Sequence, residues 1–326
     1  DSARTGALPG RVAALAVLGV FEACRKAFRW RPGKGRCRVF FLTLTLLLVA
    51  AVGSLGWRTH LRNQDYLNEA ALWEKTANQR PGNERAQYNL GTVLMRLGNL
   101  EEARARLAEA LRLYPGRPET NNNLALVLYQ LGKPAQALPL FLEAARLQPD
   151  LEEARFNSGA ILNILGRPAE AVPHFQALVR LNPGDVKAWN NLGQSLGMLG
   201  RLEEARAAFE QALRLNPGMV EARHNLGMTL ERMGRFEEAV AQYQEALKRQ
   251  PDSPDLALKT AGAYLRMNRP AEALPFLREA IRLDPGSLSA RKNLGAALAN
   301  LGKLDDAAVQ FREVLRLKHD DKEAKE

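Results

Sequence analysis

The sequence predicts an all-α protein, a superhelical solenoid of seven helix–turn–helix repeats preceded by a transmembrane helix. Three observations carry this. Proline recurs every 34 residues, at Pro81, Pro115, Pro149, Pro183, Pro217, Pro251 and Pro285, and the next position in the series is His319. Small and large side chains recur at fixed places in the same frame. Ahead of them Val39 to Trp57 runs for 19 residues without a charge, between Arg38 and Arg58.

A frame that starts each repeat three residues after its leading proline gives a first repeat at 84–117 and seven repeats over 84–321, with a polar tail at 322–326. Helix A of each repeat carries Leu90-Gly91, Leu124-Ala125, Ser158-Gly159, Leu192-Gly193, Leu226-Gly227, Thr260-Ala261 and Leu294-Gly295, small residues that let a second helix approach closely. Helix B carries Ala103, Ala137, Ala171, Ala205, Ala239, Ala273 and Ala307. Four positions later stand Leu107, Phe141, Phe175, Phe209, Tyr243, Leu277 and Phe311, so a small and a large residue share one face. Between the helices Gly98, Gly132, Gly166, Gly200, Gly234 and Gly302 mark a left-handed helix end, and Asn268 takes that place in the sixth repeat. Pro134, Pro168 and Pro270 fit the first turn of helix B, where no N–H is needed. Pro139, Pro173 and Pro275 fall deeper in that helix, where proline costs up to about 3 kcal/mol.

A 34-residue period of helix pairs resembles the tetratricopeptide repeat (TPR) family, in which each repeat touches only its neighbours and the A helices line a concave groove. That resemblance implies binding of proteins or peptides and requires no cofactor.

The uncharged stretch 39–57 makes a helix of about 28 Å, close to the hydrocarbon thickness of a bilayer. Its polar residues are Thr43, Thr45 and Ser54, too few for a polar face. Within segment 1–38, Arg25–Arg38 holds seven basic residues and no acid, which places it in the cytoplasm and the chain after Trp57 on the extracytoplasmic side, periplasm or lumen. Val12 to Phe21 is apolar but spans only about 15 Å, as the end of an earlier spanning helix or as an interfacial segment. A cleaved signal peptide is the competing reading of 39–57, with Ser54 and Gly56 as its small residues. The long basic lead-in favours an uncleaved anchor. Residues 58–83 form a linker, with a lead-in helix over Asp65 to Gly82.

The net charge of +10 does not point to nucleic acid, because residues 1–83 hold +8 of it and residues 84–321 only +2. A nucleic-acid groove would need a basic face along the repeats. The four histidines, His60, His174, His224 and His319, lack the paired spacing of a metal site, and Cys24 and Cys37 in a cytoplasmic segment read as free thiols. No G-x-S-x-G, P-loop or G-x-G-x-x-G motif occurs, so no residue is assigned a catalytic role and no cofactor or metal is expected.

One polar position recurs on helix A: Asn89, Asn123, Asn157, Asn191, Asn225 and Asn293, with Lys259 interrupting. Asparagine is a poor residue for a helix interior, so the recurrence asks for a reason. A carboxamide donates and accepts, and a row of them can hold the backbone of an extended peptide without reading its sequence. The alternative is that these amides bond locally between repeats and bind nothing.

Trp189-Asn190-Asn191-Leu192-Gly193 resembles the repeats of O-linked N-acetylglucosamine transferase, whose asparagine ladder lines the inner groove and holds substrate polypeptide. The resemblance implies that role for the six asparagines. The carboxylate-clamp TPR is not matched, because Tyr88 and Thr92 occupy its clamp-like positions in the first repeat. A second resemblance lies at the junction, in Arg58-Thr59, Arg62-Asn63, Tyr66, Glu69, Leu72-Trp73, Thr76, Pro81 and Asn83, running into Tyr88-Asn89-Leu90-Gly91. It is similar to transmembrane-and-TPR protein O-mannosyltransferases, and implies a substrate-recruiting tail whose catalytic carboxylates would lie upstream.

The topology is tested by fusing a reporter active only outside the cytoplasm after Glu326. It should be active, and an inactive fusion beside an active cytoplasmic reporter would reverse the orientation.

Overall fold

Among the described residues, the A helices end at a turn encoded in the sequence. The computed structural model describes residues 53, 54, 57 and 69–323, with side chains described to residue 317. The expected segment 1–38, the expected span 39–57 apart from Gly53, Ser54 and Trp57, and the start of the linker lie outside the described residues. Among the described residues no helix is long and apolar enough to cross a membrane, and none is a strand.

The chain divides into two compact units, residues 1–116 and 117–326. In the first, a helix α1 over residues 69–79 leads into the pair α2 (Glu84–Arg96) and α3 (Leu100–Leu113). An ion pair of 3.3 Å between Arg96 and Glu69 joins α2 to α1.

The second unit is a stack of six helix pairs: α4 (Pro118–Gln130) with α5 (Pro134–Leu147), α6 (Glu152–Ile164) with α7 (Pro168–Leu181), and α8 (Val186–Met198) with α9 (Leu202–Leu215). Then come α10 (Val220–Arg232) with α11 (Phe236–Arg249), α12 (Pro254–Arg266) with α13 (Pro270–Leu283), and α14 (Leu288–Asn300) with α15 (Leu304–Glu323). Even-numbered helices are the A helices, each 13 residues long.

Four A helices have a side-chain cap. Asn83, Asp185, Ser253 and Ser287 each accept a backbone N–H of the first turn at 2.9–3.3 Å. Each A helix ends in a residue with positive φ, from 70° to 82° at the six turn glycines and 55° at Asn268. That geometry lets the following N–H reach back to an orphan carbonyl, as Asn99 N–H does to Leu94 O at 2.9 Å and Arg167 N–H to Leu162 O at 2.8 Å. Several of the periodic prolines also take part, their carbonyls accepting from the side chain of the fourth residue of the next A helix. Trp189 Nε1 reaches Pro183 O at 3.0 Å, Arg223 reaches Pro217 O at 2.9 Å and Arg291 reaches Pro285 O at 3.0 Å.

The core is the contact between the two helices of each pair. Leu107, Phe141, Phe175, Phe209, Tyr243 and Leu277 are at most 2% exposed. Where helix A has glycine opposite, a Cβ there would meet the helix B side chain at 2.6 Å (Gly91 and Leu107), 2.7 Å (Gly159 and Phe175; Gly193 and Phe209) or 2.4 Å (Gly227 and Tyr243). Between successive pairs small residues form the seam, as in the cluster of Ala257, Ala280 and Ala290.

Pro139, Pro173 and Pro275 do sit inside helices, and α5, α7 and α13 continue through them. All three prolines are exposed, as are Ala135, Ala169 and Ala271, the residues whose carbonyls lose an N–H partner. Water can satisfy those carbonyls, so the strain expected of an interior proline is relieved on the solvent side. The end of the array differs from the sequence reading. Helix α15 runs through Glu323, past the expected start of a tail at 322. Its Phe311 is 41% exposed.

Two glycines of helix A should respond oppositely to alanine. A Cβ added at Gly262 would meet nothing within 4 Å, so Gly262→Ala should stabilise by about 0.5–1 kcal/mol through helix propensity. Gly227→Ala should destabilise by about 1–3 kcal/mol through overpacking on Tyr243. Chemical denaturation of both variants checks this; the same sign in both would show that the glycine pocket is not tight.

Candidate functional site

On an α-helix the second, sixth, ninth and thirteenth residues fall within about 60° of one another, a single stripe. In the A helices that stripe begins with Glu119, Glu153, Lys187, Glu221, Asp255 and Ser289 and passes through the asparagine position. It ends at Gln130, Ile164, Met198, Arg232, Arg266 and Asn300. It lies off the side that packs on helix B, so its residues are half-buried or exposed.

All six predicted asparagines are half-buried. Asn89 belongs to α2 of the first unit and is described by that unit alone; the other five occupy one position along the A helices of the second. Asn157 donates through Nδ2 to Asn122 Oδ1 of the preceding repeat at 3.3 Å, and Asn225 donates to Asn190 Oδ1 at 3.2 Å. Asn191 instead donates to the carbonyl of Lys187, four residues earlier in its own helix, at 2.9 Å. Local bonding between repeats therefore occurs at Asn157 and at Asn225, each using one N–H. A carboxamide has two N–H groups and a carbonyl with two lone pairs, so a tie of this kind leaves hydrogen-bonding capacity at a half-exposed group.

Other contacts join neighbouring A helices. Asn190 Nδ2 donates to Glu221 Oε1 at 2.9 Å. Asn163 and Ser195, both buried, exchange hydrogen bonds of 2.8 and 3.0 Å. Arg232 Nη1 reaches the carbonyl of Gly197 at 2.5 Å. His224 Nε2 lies 3.3 Å from Asp255 Oδ2. These contacts fix the A helices of the second to sixth repeats as neighbours.

Sequence reasoning missed Asn122 and Asn190, which are 3% and 1% exposed. Their signal was the doubled asparagine at 122–123 and 190–191: the second of each pair faces outward and the first receives the amide of the next repeat.

The titrating groups here are structural. Burial lowers the pKa of His224 and outweighs the opposing pull of Asp255; burial, with Arg155 nearby, lowers that of His174. Both imidazoles are therefore neutral at pH 7. Burial raises the Tyr243 phenol above its ordinary range, and its hydroxyl donates to Glu231 at 2.9 Å. The helix B surface is different in kind. Arg146 and Glu143, Arg282 and Glu279, and Arg316 and Glu313 pair at 2.6–2.7 Å along it, and in each the arginine lowers the glutamate pKa. Among the described residues no group of His, Cys, Asp or Glu is set to hold a metal. A surface depression of about 530 Å³ lined by Gly200, Arg201, Leu202, Glu203, Glu204, Met233 and Arg235 lies at the turns, off the A-helix stripe.

Fold and site together define a helical-repeat scaffold whose A helices carry a recurring polar stripe. A family model described as tetratricopeptide repeat matches residues 58–118, 88–152, 122–186 and 224–287, and two further tetratricopeptide models match 186–252 and 264–326. The chain belongs to the tetratricopeptide repeat family. It is similar to the solved structure of YrrB, described as a TPR protein with an unusual peptide-binding site, at 26% identity over 58% of this chain and 97% of that one, with a TM-score of 0.53. A tetratricopeptide repeat protein from Parabacteroides merdae matches 72% of this chain and 93% of its own at 18% identity and a TM-score of 0.58. PilF of Pseudomonas aeruginosa matches 64% of this chain and 95% of its own at 22% identity and a TM-score of 0.53. The last two likenesses concern the fold alone. No curated protein matches the chain.

Proposed function

We propose that this chain is a membrane-anchored TPR scaffold that holds an extended polypeptide, or an extended segment of a partner protein, along its A-helix face. The observation that carries the reading is the row of half-buried carboxamides at one A-helix position. Amides in this setting can bond a ligand backbone, donor and acceptor together, whatever its side chains. The likeness to YrrB, whose description names a peptide-binding site, supports the same use of the fold. Residues 39–57 supply the anchor, and the basic segment before them sets the repeats on the extracytoplasmic side. A second reading is favoured by the junction residues Arg58 to Asn83: the repeats recruit substrate for a membrane glycosyltransferase of the protein O-mannosyltransferase type, with chemistry supplied from upstream.

The test is the triple variant Asn157→Ala, Asn191→Ala, Asn225→Ala, measured for thermal stability and for affinity toward a reduced, alkylated unfolded polypeptide. Each amide removed strands backbone groups of the ligand, at about 0.5–1.5 kcal/mol per net hydrogen bond. Affinity should therefore fall by about one to three orders of magnitude. The melting temperature should fall only modestly, from loss of the ties to Asn122 and Asn190. Unchanged affinity with a lower melting temperature would make the asparagines structural ties only.

A further inference from the structure

The asparagine row has an apolar companion. At the far end of the A-helix stripe Ile164 and Met198 are 55% and 47% exposed, and Tyr129, one residue before the stripe's Gln130, is 44% exposed. Ile164 and Met198 come from successive repeats, 34 residues apart, and Leu126 and Ala160, half-buried, lie at the ninth helix position of the second and third repeats on the same stripe. At the other end Glu119 and Glu153 are exposed in the second and third repeats, each one turn before an asparagine. The nearby guanidinium of Arg155 is turned away to the carbonyl of Pro149, and Lys187 ends the acidic edge in the fourth repeat. Across these repeats the stripe thus has an acidic edge, an amide centre and an apolar edge.

The spacing of that pattern selects a ligand. Helices in side-chain contact lie about 8–10 Å apart. A chain in the polyproline II conformation has three residues per turn at about 3.1 Å each, so it presents the same side every ~9.3 Å. A β-strand presents the same side every ~6.7 Å and falls out of step after one helix. We infer that the second to fourth repeats take an extended segment with three residues per turn, carrying a bulky apolar side chain at every third position toward Tyr129, Ile164 and Met198 and basic side chains toward Glu119 and Glu153. This rests on the proposed amide face and adds to it the class of polypeptide taken. The amides hold the backbone, while the two edges choose side chains by period and charge.

The experiment uses the 326-residue chain and three labelled peptides read by fluorescence anisotropy. One repeats Leu-Lys-Gly four times; its isomer of equal composition puts leucine at alternate positions; the third replaces lysine with glutamate. The first should bind about tenfold tighter than either of the others. Ile164→Ser with Met198→Ser should erase the preference over the isomer, and Glu119→Gln with Glu153→Gln should erase the preference for lysine over glutamate. All four positions are exposed, and a thermal melt verifies that each double variant is folded. Equal binding of peptide and isomer, or of lysine and glutamate forms, overturns the inference. If no peptide binds while the unfolded polypeptide still binds through the asparagines, the inference fails and the amide reading survives; if neither ligand binds, both fall.

Discussion

The structure depends on one contact, the seating of a large helix B side chain on a glycine or alanine of helix A. At Gly193 the ring of Phe209 fills the space a Cβ would need, and at Gly227 Tyr243 does so more closely still. This contact brings the two helices of a repeat together on one side of helix A and leaves the opposing stripe without a partner inside the repeat. Repeated at 34-residue intervals, it gives a row of such stripes, and that row is the candidate binding face. The same residues that stabilise the array therefore decide which residues are left to meet a ligand.

The two surfaces that result differ in chemistry. The outward side of helix B is covered by arginine–glutamate pairs three residues apart, exposed and individually worth little to stability. Such a surface satisfies itself and stays solvated. The A-helix stripe offers amides with spare hydrogen-bonding capacity, flanked by exposed Tyr129, Ile164 and Met198. A surface of that kind has more to gain from an extended polypeptide than the paired charges of helix B do.

Local signals were legible in the sequence, and relations between repeats were not. The turn glycines and Asn268 could be assigned because a left-handed helix end limits the residue types it accepts, and positive φ is found at each. The small and large residues of helices A and B were legible for a similar reason: the pocket takes only glycine, or alanine as at Ala125 and Ala261. The role of the asparagines was only half legible. That Asn157 would meet Asn122, and Asn225 meet Asn190, depends on which side chain of the neighbouring repeat lies within reach, and Asn191 shows how it differs where Phe156 stands in that place. The interior prolines 139, 173 and 275 looked strained until their exposure placed the orphaned carbonyls in water. The extension of α15 could not be read either, because the polar stretch after Leu317 carries no helix-stop residue and no apolar stripe.

The central claim is that an extended polypeptide lies along the A-helix stripe, and the most direct measurement watches the asparagine side chains themselves. Side-chain amide resonances of Asn123, Asn157, Asn191 and Asn225 should shift together on titration with an unfolded polypeptide, while the arginine guanidinium signals of the helix B pairs at Arg146 and Arg282 stay in place. Shifts confined to the helix B arginines, with the asparagine amides unmoved at saturation, would contradict the account.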